Sequence, residues 1–213
     1  MRILSFVTAI ILGSWTLLAA AQEAPQPNIK VGDRWTYQYL DKMTGEIKGS
    51  ITLTVFEVTD TEIHQKAQGK MKAPINRVEF LDRQLNWIDN GFTQWKPNTG
   101  SFLFPLTVGK EWTQQYEAVA ISNESKTRHN AAAKVVAYEK VKVPAGEFDA
   151  FKIEYTIRNI STSDAERADS ITKGVRWYSP SVKQVVKQES EAIMGGRTRE
   201  KTEVVLTEFS SLP

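Results

Sequence analysis

Apolar and polar residues alternate along most of this chain with a period of two. The clearest stretch is FKIEYTI at 151–157, where aromatic and β-branched residues at the odd positions are separated by charged or hydroxyl-bearing residues. A period of two is typical of a β-strand with one buried face and one exposed face. The same pattern and composition predict strands at 49–58, 135–143 and 202–209. The chain is therefore predicted to be rich in β-structure.

Turn signals separate these predicted strands. KMTG at 42–45 and DNG at 89–91 lie where hairpins should reverse, and a further hairpin is predicted around Asp82-Arg83. In VPAG at 143–146, proline presets the first corner of a turn and glycine tolerates a positive φ, so we expect 135–143 to pair with 148–159. Residues Ser163–Ser170 form either one short helical turn or a polar loop. The predicted fold is mainly β, an antiparallel curved sheet in the form of a half-barrel or open barrel, with little helix.

One short phrase occurs twice, as VGDRWTYQY at 31–39 and VGKEWTQQY at 108–116. The glycine is expected to turn the chain into a strand. The tryptophan and the second conserved aromatic of each copy are four residues apart, so they share one face of that strand. The charged pairs between the glycine and the tryptophan, DR and KE, are opposite in the order of their charges and are expected to face solvent. The phrase is interpreted as the start of a strand used twice, rather than as two copies of a functional site.

The first 21 residues resemble a secretory signal peptide. Arg2 precedes an apolar run, and the segment ends in Ala19 and Ala21 at the positions that a signal peptidase reads. We therefore expect residues 1–21 to be removed and residues 22–213 to form a single β domain, with a seam near 98–101. No later apolar stretch is long enough to span a bilayer. The chain has no cysteine, which fits a protein of the bacterial periplasm or a secreted protein.

Charge and motifs exclude several classes of function. The net charge is only +2, because acidic and basic residues are nearly equal in number. The chain therefore lacks the basic excess that nucleic-acid binding needs. His64 and His129 are flanked by polar residues and are expected to be exposed. No HExxH, GxSxG or phosphate-binding glycine loop is present. The sequence therefore predicts no catalytic residue, metal ligand or cofactor, and a protein that is not an enzyme.

Aromatic residues are concentrated in the segment LNWIDNGFTQWKPNTGSFLFPL at 85–106. Aromatic side chains supply much of the core of a small β domain, and they also form ligand-binding faces. Turn residues interrupt the segment, which places some of the rings near loops. The tentative ligand-binding residues are Trp87, Phe92, Trp95, Phe102 and Phe104.

The motifs VPAGEF at 143–148, AFKI at 150–153, VRWYSP at 175–180 and LTVGKEW at 106–112 resemble a family of uncharacterised bacterial exported proteins. That family carries a VPAGxFxA hairpin and a WYSPxV strand end, and the resemblance covers mainly 104–189. The family has no agreed activity, so it supplies no catalytic residues. Its fold is similar to the antiparallel half-barrels of periplasmic lipoprotein carriers, which implies a curved sheet with an apolar groove. In the WYSP strand, alternation sends Trp177 to one face and Tyr178 with Arg176 to the other.

Three functions are consistent with these observations. The first is a non-enzymatic periplasmic or envelope-associated binding protein for a lipidic or amphiphilic ligand, or for a partner protein of the envelope. The second is a carbohydrate-recognition module in which exposed Trp87 and Trp95 stack on a glycan. The third is a hydrolase with an unrecognised pair of carboxylates.

Overall fold

The computed structural model of the protein describes residues 22–161 and 170–211, without the side chains of residues 160 and 161. These residues contain no helix and form fourteen strands. The strands are β1 Glu23–Ala24, β2 Arg34–Asp41, β3 Ile47–Val58, β4 Glu62–Lys70, β5 Pro74–Asp82, β6 Trp87–Asp89, β7 Thr93–Lys96, β8 Leu106–Thr107, β9 Glu111–Ala120, β10 Lys126–Val143, β11 Gly146–Ser161, β12 Ser170–Ser179, β13 Gln184–Met194 and β14 Arg197–Ser210.

Twelve of these strands form one closed antiparallel barrel. Each strand pairs with the next along the chain, from β2 to β7 and from β9 to β14, and β14 then pairs with β2. The prediction of an antiparallel β fold is confirmed, whereas the prediction of a half-barrel or open barrel is wrong. The alternation of side chains defines which faces are buried, but it carries no information on whether the first and last strands meet. That pairing, from Thr202 opposite Asp41 to Ser210 opposite Arg34, converts the curved sheet into a barrel with a lumen.

The predicted hairpins are confirmed. β10 and β11 pair along their whole length down to Val143 opposite Gly146, and Gly146 has a φ of 141°. The turns at 42–45 and 89–91 connect β2 to β3 and β6 to β7. We call the end of the barrel that holds the VPAG turn the lower end, and the end that holds the turn at 42–45 the upper end.

The repeated phrase forms the same turn in both places. Gly32 N–H donates to the Val55 carbonyl at 2.9 Å, and Val55 N–H donates to the Asp33 carbonyl at 2.9 Å. In the second copy, Gly109 and Lys110 make the same pair of bonds with Val135, at 2.8 and 2.9 Å. The two glycines have φ values of 96° and 94°, a region that disfavours residues with a Cβ. Each copy begins a run of six barrel strands, so the interpretation as a repeated strand start is confirmed.

The side chains within the two copies are not equivalent. Trp35 and Tyr39 share the lumenal face of β2, as predicted, because Trp35 lies opposite Leu53 and Tyr39 opposite Gly49. Asp33, however, is fully buried, so the prediction that it faces solvent is wrong. One of its carboxylate oxygens accepts a hydrogen bond from Lys30 N–H at 2.9 Å and lies 3.6 Å from the Lys183 ammonium group. The partners of this buried carboxylate therefore come from the backbone at Lys30 and from Lys183 in the connection between β12 and β13.

The lower third of the lumen is a packed apolar core. Trp35 is 1% exposed, and its indole N–H donates to the Val182 carbonyl at 3.0 Å. Phe102 and Phe104 stack on each other with ring centroids 5.6 Å apart, and both pack edge-on against Tyr178. The segment that carries these two phenylalanines connects β7 to β8 and closes the lower end of the barrel.

Two predictions fall on other parts of the chain. The signal peptide at 1–21 lies outside the described residues. The helical turn or loop at Ser163–Ser170 also lies outside them, except that Ser170 is the first residue of β12. The proposed seam near 98–101 falls in the connection between β7 and β9, and the strands on both sides of it belong to the same barrel.

Replacing Trp35 should destabilise the barrel far more than replacing an exposed ring. Trp35→Ala removes a fully buried side chain and strands the Val182 carbonyl, so we expect a loss of about 3–5 kcal/mol in the free energy of unfolding. Phe92→Ala is the control, because Phe92 is 60% exposed and its loss should cost less than about 1 kcal/mol. Urea denaturation measures both, and equal losses would contradict the assigned core.

Candidate functional site

A cavity of about 220 Å³ lies in the lumen above the packed lower core. Its apolar lining consists of Leu53, Leu81, Leu85, Val185, Val204 and the rings of Tyr37, Tyr39, Trp87 and Phe102; its polar lining consists of Gln65, Ser101, Arg176, Gln184 and Gln188. Leu53, Tyr39 and Val204 point into the lumen but are only half-buried, so solvent reaches this level. The site is therefore an accessible pocket whose lining combines apolar side chains with several hydrogen-bonding groups.

The connection that closes the lower end also forms the floor of the cavity. Phe102 N–H donates to the Asn86 side-chain oxygen at 2.7 Å, and the Asn86 amide donates back to the Phe102 carbonyl at 3.1 Å. Trp112 anchors the same segment by donating its indole N–H to the Gly100 carbonyl at 2.9 Å. The floor is thus held on two sides, from β9 and from the loop after β5, which fixes the Phe102 ring beneath the cavity.

A buried carboxylate borders the cavity, and it is fully compensated. Glu79 on β5 is 0% exposed and accepts hydrogen bonds from the Gln65 amide at 2.8 Å and from Arg77, at 2.9 Å from its Nε and 2.8 Å from a terminal nitrogen. Burial raises the pKa of Glu79, while Gln65 and Arg77 oppose that increase. A carboxylate with three donors is a satisfied structural group, and its charge is balanced by Arg77.

Arg176 on β12 is a buried cation without such a balance. It is 8% exposed and lies against two rings, with its guanidinium carbon 4.2 Å from the Tyr155 centroid and 5.5 Å from the Phe102 centroid. Its Nε is buried and makes no hydrogen bond. Burial lowers the pKa of Arg176; Tyr155, which also hydrogen-bonds the guanidinium group, and Tyr116 oppose this, and no carboxylate among the described residues acts on that pKa. An arginine nevertheless keeps its proton in proteins, so the polar lining of the cavity carries a positive charge without a carboxylate partner.

Gly174 makes room for the ring that covers Arg176. Gly174 and Tyr155 lie opposite each other on β12 and β11, and a Cβ on Gly174 would lie 2.4 Å from the Tyr155 ring. Any larger residue at 174 would therefore displace Tyr155. The glycine thus holds the ring over the guanidinium group, where a cation–π contact offsets part of the cost of burying the charge.

A second polar group faces the lumen above Arg176. His129 stacks on Tyr116, with ring centroids 4.7 Å apart, and both ring nitrogens are buried without a hydrogen bond of good geometry. Burial lowers the pKa of His129, and the Asn159 amide opposes this only partly. Burial also raises the pKa of Tyr116 to about 12, although Arg176 lowers it. The prediction that His129 is exposed is therefore wrong, because Ala131 and Ala133 mark a lumenal face with small side chains.

His64 differs from His129 in its environment. It lies on the outer face between two carboxylates, 2.7 Å from Glu57 and 2.9 Å from Glu62, and its side chain is 15% exposed. Burial alone would lower the pKa of His64, but the two glutamates outweigh that effect and the pKa is raised. The ring is covered from the side by Phe80, at 4.7 Å between centroids, so the prediction of an exposed histidine is wrong here too.

The larger concavity of the protein is on its outer face. A groove of about 950 Å³ crosses strands β9 to β14, and its lining includes lysines and glutamates together with Trp112, Tyr155 and Val175. The charges in this lining pair with one another, as in Lys42 with Glu189 at 3.5 Å and Lys201 with Glu191 at 3.6 Å. Exposed ion pairs of this kind are the ordinary polar surface of a sheet. The groove therefore offers no specific chemistry, and the smaller lumenal cavity is the better candidate site.

The five residues predicted to bind a ligand are distributed over three environments. Phe102 and Phe104 are buried in the lower core, with exposed fractions of 5% and 9%. Trp87 and Trp95 are half-buried and pack edge to face on each other at 6.1 Å, so neither is a fully exposed platform. Phe92 is exposed in the upper turn, with the Arg77 guanidinium group 5.0 Å from its ring. Trp87 and Phe102 are the two that the fold brings to the cavity wall.

Sequence reasoning missed the polar residues of the site. Arg176 was placed on the same face as Tyr178, which is confirmed, but that face was not recognised as the lumen. The other face of β12 also carries an aromatic residue, Trp177, whose indole N–H donates to Glu139 at 2.8 Å on the outside of the barrel. Gln65 and Glu79 gave no signal in the sequence, because a glutamine and a glutamate in polar strands are typical of solvent-facing positions.

In the part of the chain that the structure describes, no group of three histidine, aspartate or glutamate side chains is placed to hold a metal ion. No helix of that part has the length and hydrophobicity needed to cross a bilayer.

Comparison with known proteins gives a family match and two similar folds. Residues 108–192, from β9 to within β13, match the DUF3108-like family. One similar structure is a protein of Parabacteroides distasonis ATCC 8503 assigned as a lipoprotein, at 15% identity and a TM-score of 0.56 over 88% of this chain and 99% of that one. The other is an exported protein of Bacteroides fragilis NCTC 9343 with a YmcC-like fold, at 15% identity and a TM-score of 0.56 over 88% and 100%. No curated protein matches the chain.

Removing Arg77 should strand the buried Glu79 carboxylate. In Arg77→Met the carboxylate keeps only the Gln65 amide, so we expect a loss of about 2–4 kcal/mol in the free energy of unfolding at neutral pH. The loss should shrink at acid pH, where Glu79 takes up a proton. Arg34→Met, on the exposed outer face of β2, is the control and should change stability little. A loss of stability equal to that of the control would contradict the assignment of Arg77 as the residue that compensates the buried charge of Glu79.

The two histidines should change the pH dependence of stability in opposite directions. The pKa of His129 is lowered in the folded state, so this residue contributes less to the free energy of unfolding as the pH drops below its pKa in the unfolded state, about 6.5. The pKa of His64 is raised in the folded state, so its contribution to the free energy of unfolding is fully present below about pH 6.5 and is lost as the pH rises through its pKa in the folded state. From about pH 8 to pH 5.5, His129→Gln should therefore gain relative stability and His64→Gln should lose it. Urea denaturation at both pH values measures the stability of each variant relative to the unmodified protein. Changes of the same sign for the two variants would contradict the opposite pKa shifts assigned to His129 and His64.

Proposed function

We propose that the protein is a non-enzymatic binding protein of the bacterial envelope that holds a small amphiphilic molecule in the lumen of its barrel. The observation that carries this proposal is the accessible cavity of about 220 Å³, whose lining combines apolar side chains with several hydrogen-bonding groups. Ligand sites are commonly concave and mostly apolar, with a few converging polar groups. The lumenal cavity has this composition and lies inside the barrel, whereas the outer groove lies on the surface of the sheet among paired charges.

An envelope location is supported from two independent directions. The first 21 residues have the layout of a secretory signal peptide. The two similar folds belong to a protein assigned as a lipoprotein and to an exported protein. The partial match to the DUF3108-like family agrees with the resemblance to exported proteins that the VPAG and WYSP motifs carry.

The volume of the cavity limits the size of the ligand. An apolar cavity of about 150 Å³ holds one benzene molecule, so about 220 Å³ suits roughly nine non-hydrogen atoms. A two-chain phospholipid is several times larger than this. We therefore propose a short-chain or single-ring amphiphile in place of the long acyl chain that a half-barrel carrier would hold.

The carbohydrate alternative has less support. Stacking on a sugar needs an open ring face, and Trp87 and Trp95 each cover part of the other. The hydrolase alternative also has little support, because Glu79 lies within a network that satisfies its oxygens and has no second carboxylate beside it in the described strands. A binding role uses the features of the lumen more fully than either alternative.

A series of eight-carbon compounds tests the proposal. Isothermal titration calorimetry of the purified protein with octanoate, 1-octanol and octylamine should show binding of at least one, at a stoichiometry of about one. Val204→Trp should abolish that binding, because residue 204 lines the cavity and the larger ring fills it. Val78→Trp is the matched control, since Val78 is 39% exposed on the outer face of β5. Binding of none of the three compounds, or loss of binding in the control alone, would refute a lumenal site.

A further inference from the structure

The uncompensated charge of Arg176 indicates what kind of ligand the lumen accepts. Among the residues that line the cavity, Arg176 is the only one that carries a formal charge at neutral pH. The nearby Glu79 does not offset this charge, because Arg77 and Gln65 already occupy its oxygens. A buried charge without a partner costs several kcal/mol, so the lumen favours a ligand that supplies a negative charge.

The hydrogen-bonding groups around Arg176 have the same preference. The Arg176 Nε–H is buried and has no acceptor, which leaves a donor for a ligand. Gln188 lies directly opposite Arg176 on the neighbouring strand β13, and its side chain lines the same cavity. The Gln184 side-chain oxygen already accepts from Val185 N–H at 3.0 Å, and its NH₂ group is a donor. The groups around Arg176 therefore include donors for an acceptor on the ligand, whereas Gln65 on β4, whose NH₂ group donates to Glu79, adds an acceptor oxygen to the lining.

The surroundings of Arg176 indicate how a bound ligand would be oriented. The Tyr155 and Phe102 ring centroids lie 4.2 and 5.5 Å from the guanidinium carbon of Arg176, and its buried Nε–H is the donor without a partner. A guanidinium edge with such a free donor can bind a carboxylate through charge-assisted hydrogen bonds. Leu53, Leu81 and Trp87, on strands β3, β5 and β6, supply apolar lining against which the rest of the molecule would lie.

We propose that the lumen binds a small organic acid, with its carboxylate on Arg176 and Gln188 and its short apolar chain or ring against Leu53, Leu81 and Trp87. This inference rests on the proposed lumenal binding function and adds the chemical class of the ligand. It assigns to Arg176 the role of a ligand-binding residue rather than a structural one.

The experiment compares the acid with its neutral and cationic analogues. For the unmodified protein, calorimetry at neutral pH should give octanoate an affinity about 10- to 100-fold higher than that of 1-octanol, with octylamine weakest, because a hydrogen bond to a charged group adds this much. In Arg176→Met the affinity for octanoate should fall to that for octanol, while octanol binding is retained. Arg176→Lys keeps the charge without the planar fork and should fall between the two.

The thermal stability of the same variants separates binding from structure. Without ligand, Arg176→Met should melt a few degrees above the unmodified protein, because it removes a buried charge that has no partner. Arg34→Met, which removes an exposed arginine, should change neither the melting temperature nor the preference for the acid. Added octanoate should raise the melting temperature of the unmodified protein and not that of Arg176→Met.

Each outcome has a definite consequence. Equal binding of octanoate and octanol would overturn the acid preference and leave the lumenal binding function standing, whereas no binding of either compound would overturn both. An Arg176→Met variant that unfolds or melts lower would show that Arg176 is a structural residue, and that result would also overturn the inference.

Discussion

The pairing of β14 with β2 is the constraint on which the other features of this molecule depend. It joins the two ends of a meander of twelve strands, from Thr202 opposite Asp41 to Ser210 opposite Arg34. Without it, the inward faces of the strands would line an open sheet and their polar groups would be hydrated. Closure places those groups in a lumen, where each buried donor, acceptor or charge needs a partner.

Two buried charged groups of the lumen differ in whether they have such partners. Glu79 is surrounded by donors from Gln65 and Arg77, as expected of a buried charge that serves the fold. Arg176 packs against two rings, and its Nε has no acceptor. Since a protein selected for stability alone would replace such a cation with an apolar side chain, the arrangement is typical of a site that keeps an unsatisfied group for function.

The features that the sequence predicted well are those determined by neighbours along the chain. The strand alternation, the VPAG hairpin and the two glycine turns follow from local preferences and from the period of two. The closed barrel could not be predicted this way, since an edge strand and a paired strand share one pattern. Of the residues that line the cavity, Trp87 and Phe102 were among the predicted ligand-binding residues because they lie in the aromatic segment. Arg176 was missed because both faces of β12 carry an aromatic residue, Trp177 on one and Tyr178 on the other, so alternation alone did not identify the lumenal face.

His129 illustrates the same limit in a second strand. Its neighbours in sequence, Arg128 and Asn130, are polar, and the residues that share its face, Ala131 and Ala133, are small. Nothing in such a pattern distinguishes a lumenal face from a solvent face. The distinction comes from the strands across the barrel, and these are distant in sequence.

The central claim is that Arg176 receives the acid group of a ligand inside the barrel. The most direct measurement is a high-resolution crystal structure of the protein with octanoate. The account predicts electron density for the acid in the lumen, with a carboxylate oxygen within hydrogen-bonding distance of the Arg176 Nε and the chain against Leu53 and Trp87. A lumen that contains only ordered water around Arg176, with octanoate absent or bound in the outer groove, would contradict it.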